Sequence, residues 1–326
     1  MKVVAIGGGT GLSTLLRGLK RHLPEPGRPA QFSPAISRLT AIVTVTDEGG
    51  SSGRLRRDFR VSPPGDIRNC LVALAEDEKL LTHLFSYRFA TGHGLRGHSF
   101  GNLFLTALTH LTRDFAKAVR VSGEVLAIRG EIFPATLSDI RLKAERVDGR
   151  VLLGERHITK TRVPIRRLQL VPSRCRALPE ALAALRQADL ITLGPGSLYT
   201  SLIPNLLVHG IAQAIARSQA LKVFVCNLMT QPGESRGYSA AEHLRAIHEH
   251  AGRNLFDHIV LNTRPLSPRL VRRYAADRAE PVVMDLDALR ALRVKPVCAD
   301  LLLEDRVVRH DPRWLAQLLL NLSVKR

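Results

Sequence analysis

An apolar run, Val3 to Ile6, breaks into Gly7, Gly8, Gly9 and Gly11 and resumes as Leu12, Leu15, Leu16 and Leu19 at helical spacing. A buried strand, a glycine turn and an amphipathic helix within one short unit are predicted, which leaves few folds open. The glycines let the backbone turn tightly and come close to a ligand. A helix starting there aims its unpaired N–H groups and the positive end of its dipole at the loop. Gly8, Gly9, Thr10 and Gly11 are therefore expected to cradle a phosphate, with the Thr10 and Ser13 hydroxyls as further donors. The alternative is a tight turn that serves helix packing alone. Leu12 stands where a dinucleotide fingerprint has its third small residue, and no Gly-Lys-Ser/Thr follows, so neither that fingerprint nor a Walker loop is complete.

The same rhythm recurs along the chain. Leu39–Val45 reads as a second buried strand running into a polar glycine turn, Thr46 to Gly53. Residues 66–84 and 101–120 read as helices, separated by a Gly- and His-rich stretch, and 24–34 as a Pro/Gly loop. From 121 to about 170 the pattern shifts to short β-type segments with VDGR, 147–150, as a hairpin turn. A helix over 179–187, a strand over 190–193, the turn Gly194-Pro195-Gly196-Ser197 and a helical run over 202–217 then repeat the N-terminal device. Strands are expected at 223–226, 259–261 and 282–284, and a closing helix at 314–322. No internal repeat or low-complexity segment interrupts this order. The pattern predicts one α/β domain over 1–326, a mostly parallel sheet with helices on both faces, carrying a strand-rich excursion over about 121–170. Right-handed crossovers would bring loops 7–11, 46–53, 194–197 and 227–235 to one sheet edge.

Charge narrows the partners. Lys and Arg number 48 against 29 Asp and Glu, a formal +19, and only nine of the basic residues are lysine. Such a field attracts anions. The basic residues are spread along the whole chain, with no basic tail and no aromatic-studded sheet, so no specific nucleic-acid partner is expected. Cys70, Cys175, Cys226 and Cys298 lack metal-ligand spacing and are expected as reduced core thiols. With no signal-like segment before the first strand and no apolar run near the roughly 20 residues of a membrane span, a cytoplasmic protein without membrane insertion is expected.

Several polar residues are placed for chemistry. Asp47 ends a strand beside a glycine turn and Asp66 lies in PPGD before a helix. Two carboxylates near a phosphate cradle suit a Mg²⁺ that bridges to phosphate oxygens. A turn-forming Asp47 and a helix-capping Asp66 are the structural alternatives. Arg54, Arg56, Arg57 and Arg60 could clamp phosphate or form a solvated face. In GHSFGN, Asn102 could cap a helix or contact a ligand, and His98 could serve as donor or base. His243, His248 and His250 read as surface residues.

Taken together, GGGTG, TVTDEGGSSGRLR, PPGDIRNCLVAL, GHSFGNL, GPGSLYTSLIPNLLV and CNLMTQPGE resemble, in order over nearly the whole chain, the blocks of the YvcK family of gluconeogenesis factors. That family lies within the superfamily of 2-phospho-L-lactate transferase, CofD. The resemblance implies a Rossmann-like fold and a cytoplasmic bacterial protein that binds UDP-N-acetylglucosamine or UDP-glucose. It implies support of cell-wall synthesis and cell shape on gluconeogenic carbon, with the cell-wall synthesis machinery as partner and a homo-oligomeric state. In the transferase branch a Mg²⁺-dependent enzyme moves a phospholactyl group from a guanosine diphosphate carrier to a deazaflavin, and Asp47 and Asp66 match its metal-side acids. No cofactor other than Mg²⁺ is implied. The ligand-binding residues expected from the glycine turns and polar motifs are Gly8, Gly9, Thr10, Gly11, Asn102, Gly194, Gly196, Ser197 and Asn227. RRYAADRAEPVVMD and VVRHD add Tyr274, for base or sugar, and Arg309, for charge. Pro312 stands where some relatives have a phosphorylatable threonine, so that modification is not expected here. An oxidoreductase ranks behind both readings, because no acid follows the first glycine turn at the spacing that would hold a nicotinamide ribose.

Overall fold

The computed structural model describes residues 1–24, 32–76 and 79–324; most of the loop expected over 24–34 lies outside them. Among the described residues twelve strands follow one another: β1 (Lys2–Gly7), β2 (Arg38–Val43), β3 (Glu131–Pro134), β4 (Arg141–Arg146), β5 (Val151–Leu153), β6 (Ile165–Val171), β7 (Leu190–Leu193), β8 (Leu221–Val225), β9 (His258–Asn262), β10 (Lys295–Ala299), β11 (Leu302–Glu304) and β12 (Val308–His310). Seven of them form one sheet in the order β10-β9-β8-β7-β1-β2-β3, and every neighbouring pair in it is parallel. All four residues of β7 and all but the first of β1 are buried, as expected of strands covered on both faces. The α/β reading of the sequence is borne out.

The order of strands places the site. From β1 the chain moves outward through β2 to β3, then returns to β7 on the other side of β1 and moves outward to β10. The direction therefore reverses between β1 and β7, which pair in register from Val3↔Leu190 to Ile6↔Leu193. The loops that follow both strands leave the same edge at this switch point.

Helix α1 (Gly9–Lys20) starts directly at the first turn and buries Leu12, Leu15, Leu16 and Leu19. α2 (Gly50–Phe59) and α3 (Gly65–Leu74) follow β2. The helix expected over 66–84 is two: α3 ends where Ala75 turns extended and bridges Ile128, and a second helix spans Lys79–Ser86. The one expected over 101–120 also divides, into Phe100–Thr112 and Phe115–Val125. Arg113 is left-handed (φ 54°) and Asp114 caps the second helix by accepting the Lys117 N–H at 3.1 Å. The β-type segment expected at 124–130 is the end of that helix and the turn beyond it. Glu131–Pro134 joins the main sheet as β3, and the antiparallel strands form a separate sheet, β5-β4-β6, whose β4–β5 hairpin turns through Val147–Arg150 as expected.

Toward the C-terminus, the 202–217 run is a π-helical turn (Leu198–Leu202) followed by helices Ile203–Leu207 and Ile211–Arg217. Residues 282–284 are not a strand; Pro281 makes only an isolated bridge to Met229. The outer strand is instead β10, hidden in the sequence by its half-exposed pattern and by Pro296, which an edge strand tolerates. Three of the four free thiols are buried, whereas Cys298 is exposed. Among the described residues no helix is long and apolar enough to cross a membrane.

Candidate functional site

At the switch point the carboxyl ends of β1, β7 and β8 surround a cleft of about 410 Å³. Gly8, Gly9, Thr10 and Gly11 line it from the first turn, Pro195, Gly196 and Ser197 from the second, and Asn227 to Pro232 from the loop after β8. Gly194 and loop 46–53 do not line it.

The two glycine turns touch. A Cβ on Gly11 would overlap the carbonyl oxygen of Pro195, so a close approach of two backbones requires glycine at this position. Gly9 is glycine for another reason: its φ is +62°, although the nearest atoms, Ser201 Oγ at 3.8 Å and Asp66 Oδ1 at 4.0 Å, leave space for a Cβ.

Side chains from the β8 loop hold the second turn. Asn227 accepts the Gly196 N–H at 3.1 Å and donates to the Gly196 carbonyl at 2.8 Å. Gln231 donates to Ser197 Oγ at 2.8 Å, which leaves the Ser197 proton available to a ligand. Glu234 accepts the N–H groups of Tyr199 and Thr200 and the Thr200 hydroxyl, at 2.7, 3.1 and 2.8 Å. Several donors of this turn are thus already paired. At the first turn α1 has no side-chain cap and no acid in its first turn, and its Thr10 and Gly11 N–H groups precede the first intrahelical bond, from Leu12 to Gly8. The Ser13 hydroxyl, expected as a ligand donor, is buried and donates to the Thr10 carbonyl at 3.0 Å.

The opposite wall comes from the C-terminal third. Tyr274, on the helix Pro268–Ala276, and Arg309, on β12, both line the cleft. The Tyr274 hydroxyl accepts the Val308 N–H at 2.9 Å, which fixes the strand one residue before Arg309. Arg309 is exposed and has no ion-pair partner among the described residues. The next residue, His310, was not singled out by sequence reasoning. It is buried on the same wall, and burial pushes its imidazole down to about 4 against the pull of a hydrogen bond to the Cys226 backbone.

Behind the first turn lie the acids. Asp66 Oδ2 is 2.5 Å from where a Cβ on Gly8 would stand. Burial, and next the nearby charge of Asp47, push the Asp66 carboxyl up to about 7, while a bond from the Gly9 N–H opposes the shift. Asp47 accepts the Gly49 N–H at 2.7 Å. The excursion supplies a third carboxylate that sequence reasoning missed: Glu155, which accepts the Glu48 N–H at 2.6 Å and is pushed up to about 8 by burial and then by Asp47. Only a spatial neighbour marks it, since GERH carries no local signal. Among the described residues no three acidic, His or Cys side chains are placed to share a metal ion. Asp47 and Asp66 can nevertheless supply two hard oxygens to a Mg²⁺ completed by phosphate and water.

Asn102 is on no wall of the cleft. It is buried near Asp47, donating to Ser51 Oγ at 3.1 Å and Ser52 Oγ at 3.3 Å, and Ser51 Oγ lies 3.0 Å from His98 Nδ1. This polar cluster joins α2 to the helix Phe100–Thr112. The arginines after loop 46–53 do not reach the cleft either. Arg54 bonds the Arg96 carbonyl at 2.6 Å, and buried Arg56 pairs with Asp139 and bonds the Ile140 carbonyl, tying down the start of the excursion. His243 and His248 are buried and half-buried His250 packs on β6, where the sequence suggested a surface.

The family model of 2-phospho-L-lactate transferase CofD matches residues 3–302. A relative from Nostoc sp. is 54% identical over 98% of this chain and 68% of its own length. The gluconeogenesis factor of Bacillus subtilis is 44% identical over 98% of both chains. An X-ray crystal structure of a protein from Bacillus halodurans, 47% identical, superposes with a TM-score of 0.92 and covers 98% of this chain and 99% of that one.

Proposed function

Because this chain belongs to the gluconeogenesis factors of the CofD family, we propose that it is a regulatory protein that binds a UDP-sugar, UDP-N-acetylglucosamine or UDP-glucose. It would act in the cytoplasm, as one α/β domain in a homo-oligomer, to support cell-wall synthesis and cell shape during gluconeogenic growth. The observation that carries this reading is the meeting of the first glycine turn with Tyr274 and Arg309 across one cleft. The Thr10 and Gly11 amides at the start of α1 and the Ser197 hydroxyl are donors for a diphosphate, Arg309 adds a positive charge, and the Tyr274 ring offers a face to the base or sugar.

Calorimetric titration with UDP-N-acetylglucosamine, UDP-glucose, GDP and NAD, each with and without Mg²⁺, tests it. Tight UDP-sugar binding without turnover is expected, and a preference for NAD or GDP would overturn it. Arg309→Ala is expected to weaken UDP-sugar binding by about 2 kcal/mol or more, roughly thirtyfold, as the loss of a charge-assisted bond to phosphate does. An unchanged affinity would put the sugar nucleotide elsewhere.

A second reading rests on Asp47 and Asp66, the adjacent carboxylates behind the first turn. It is a Mg²⁺-dependent phosphotransfer enzyme resembling the 2-phospho-L-lactate transferase. Mg²⁺, when bound, would neutralise phosphate charge. Asp47 and Asp66 would hold it, and the proton that Asp66 retains near neutral pH would be displaced. Conversion of a deazaflavin acceptor by the purified protein favours this reading over the first.

A further inference from the structure

Helices α4 (Lys79–Ser86) and α5 (Phe100–Thr112) meet through Phe85, whose ring lies edge-on to Phe100 at 5.9 Å and to Phe104 at 5.0 Å. A surface helix normally turns its apolar stripe inward and its polar residues out. α5 does the reverse. Its buried residues are Gly101, Asn102, Leu105 and Thr106, two of them polar. Half-buried Leu103 and exposed Ala107 and Leu111 follow one another at four-residue steps along the outer face, and Leu111 is 80% exposed. In α4, Phe85 is buried while Leu80 is 79% exposed and Leu84, one turn on, is exposed as well. Two helices in contact thus leave leucines in water together, where single scattered ones would need no explanation.

Charge selects what covers them. α5 contains no Asp, Glu, Lys or Arg, and α4 contains only Lys79, at its start. The chain as a whole stands at +19, so two copies repel wherever their basic surfaces face each other. On an uncharged apolar face they can meet without setting cation against cation. Such a face is also self-complementary across a two-fold axis, leucine onto leucine. A strongly charged partner or an anionic membrane surface would find no opposite charge on these helices to select it.

We propose that the α4–α5 face is the contact through which two copies of this chain form a two-fold dimer, with Leu80, Leu84, Ala107 and Leu111 buried in it. The proposal rests on the homo-oligomeric state of the reading above and gives that state its surface. None of the four residues lines the nucleotide cleft.

The test is analytical ultracentrifugation of the full chain over a concentration series. The parent is expected to sediment as a dimer. The double change Leu80→Lys/Leu111→Lys places two cations where the contact has none, each buried without a partner, and is expected to raise the dissociation constant at least about a hundredfold. Both positions are about four-fifths exposed in the single chain, so the far-UV circular dichroism of the variant should match the parent's and show that it is folded. Leu80→Met/Leu111→Met, which keeps the face apolar, is expected to remain a dimer. A monomeric parent overturns both this proposal and the homo-oligomeric reading. A dimer that survives the lysines overturns this surface alone and leaves the oligomer standing on another.

Discussion

Gly11→Val is expected to destabilise the protein by about 3 kcal/mol or more and to abolish nucleotide binding. The added side chain would overlap the Pro195 carbonyl, which belongs to the backbone of the second glycine turn. Neither turn can yield without moving the strand that carries it, so the cost lies at the upper end of overpacking penalties. Whatever movement relieves the overlap also displaces the Thr10 and Gly11 amides from Ser197 and Gly196. A fall in melting temperature of at least about 5 °C, with no calorimetric signal for a UDP-sugar, is the expected pair of results. Gly9→Ala is the control. There a Cβ has room but the residue is held at φ +62°, so the loss is only the left-handed penalty of about 1–2 kcal/mol and the protein stays folded. Equal stability of the two variants would show that the turns are not in contact.

Asp66→Asn is expected to stabilise the protein above neutral pH. The Asp66 carboxyl is raised from 3.8 to about 7 by burial and by Asp47. Between about pH 4 and 7 the folded chain keeps a proton that the unfolded chain has lost. The folded state therefore binds more protons in this window, and stability falls as pH rises through it. Below the window both states are protonated and the residue costs nothing. Above it the full penalty is present, on the order of 4 kcal/mol at about 1.4 kcal/mol per unit. Asparagine removes the titration. Urea unfolding midpoints from pH 4 to pH 8.5 should show parent and variant nearly equal at the acid end and the variant ahead at the basic end. If the two acids hold Mg²⁺, adding it at pH 8 should narrow the gap by stabilising the parent alone. A gap independent of pH would mean that Asp66 is ionised throughout.

Much of this site is legible along the chain, because its parts are local. Residues 3–19 announce a strand, a turn and a helix through their spacing alone, and 179–193 yields its helix and strand with the bounds the structure has. The features that the spacing does not reveal have separate causes. β10 is an edge strand whose exposed face and proline erase the apolar pattern. Glu155 matters only because the excursion folds back on Glu48. Ser13 was read as a donor from its place in the turn, but its hydroxyl is spent on the Thr10 carbonyl. Asn102, in a polar, glycine-rich motif, reads as a ligand residue along the chain, whereas its amide links Ser51 and Ser52.

By itself the sequence determined the repeated strand–glycine turn–helix unit and the α/β class, since glycine conformation and side-chain periodicity act over a few residues. Only the tertiary structure decided that the first turn rests on the second, almost two hundred residues away, and that Tyr274 and Arg309 close the same cleft. Those meetings depend on where parallel crossovers reverse direction and on how a C-terminal hairpin packs. No local spacing records either.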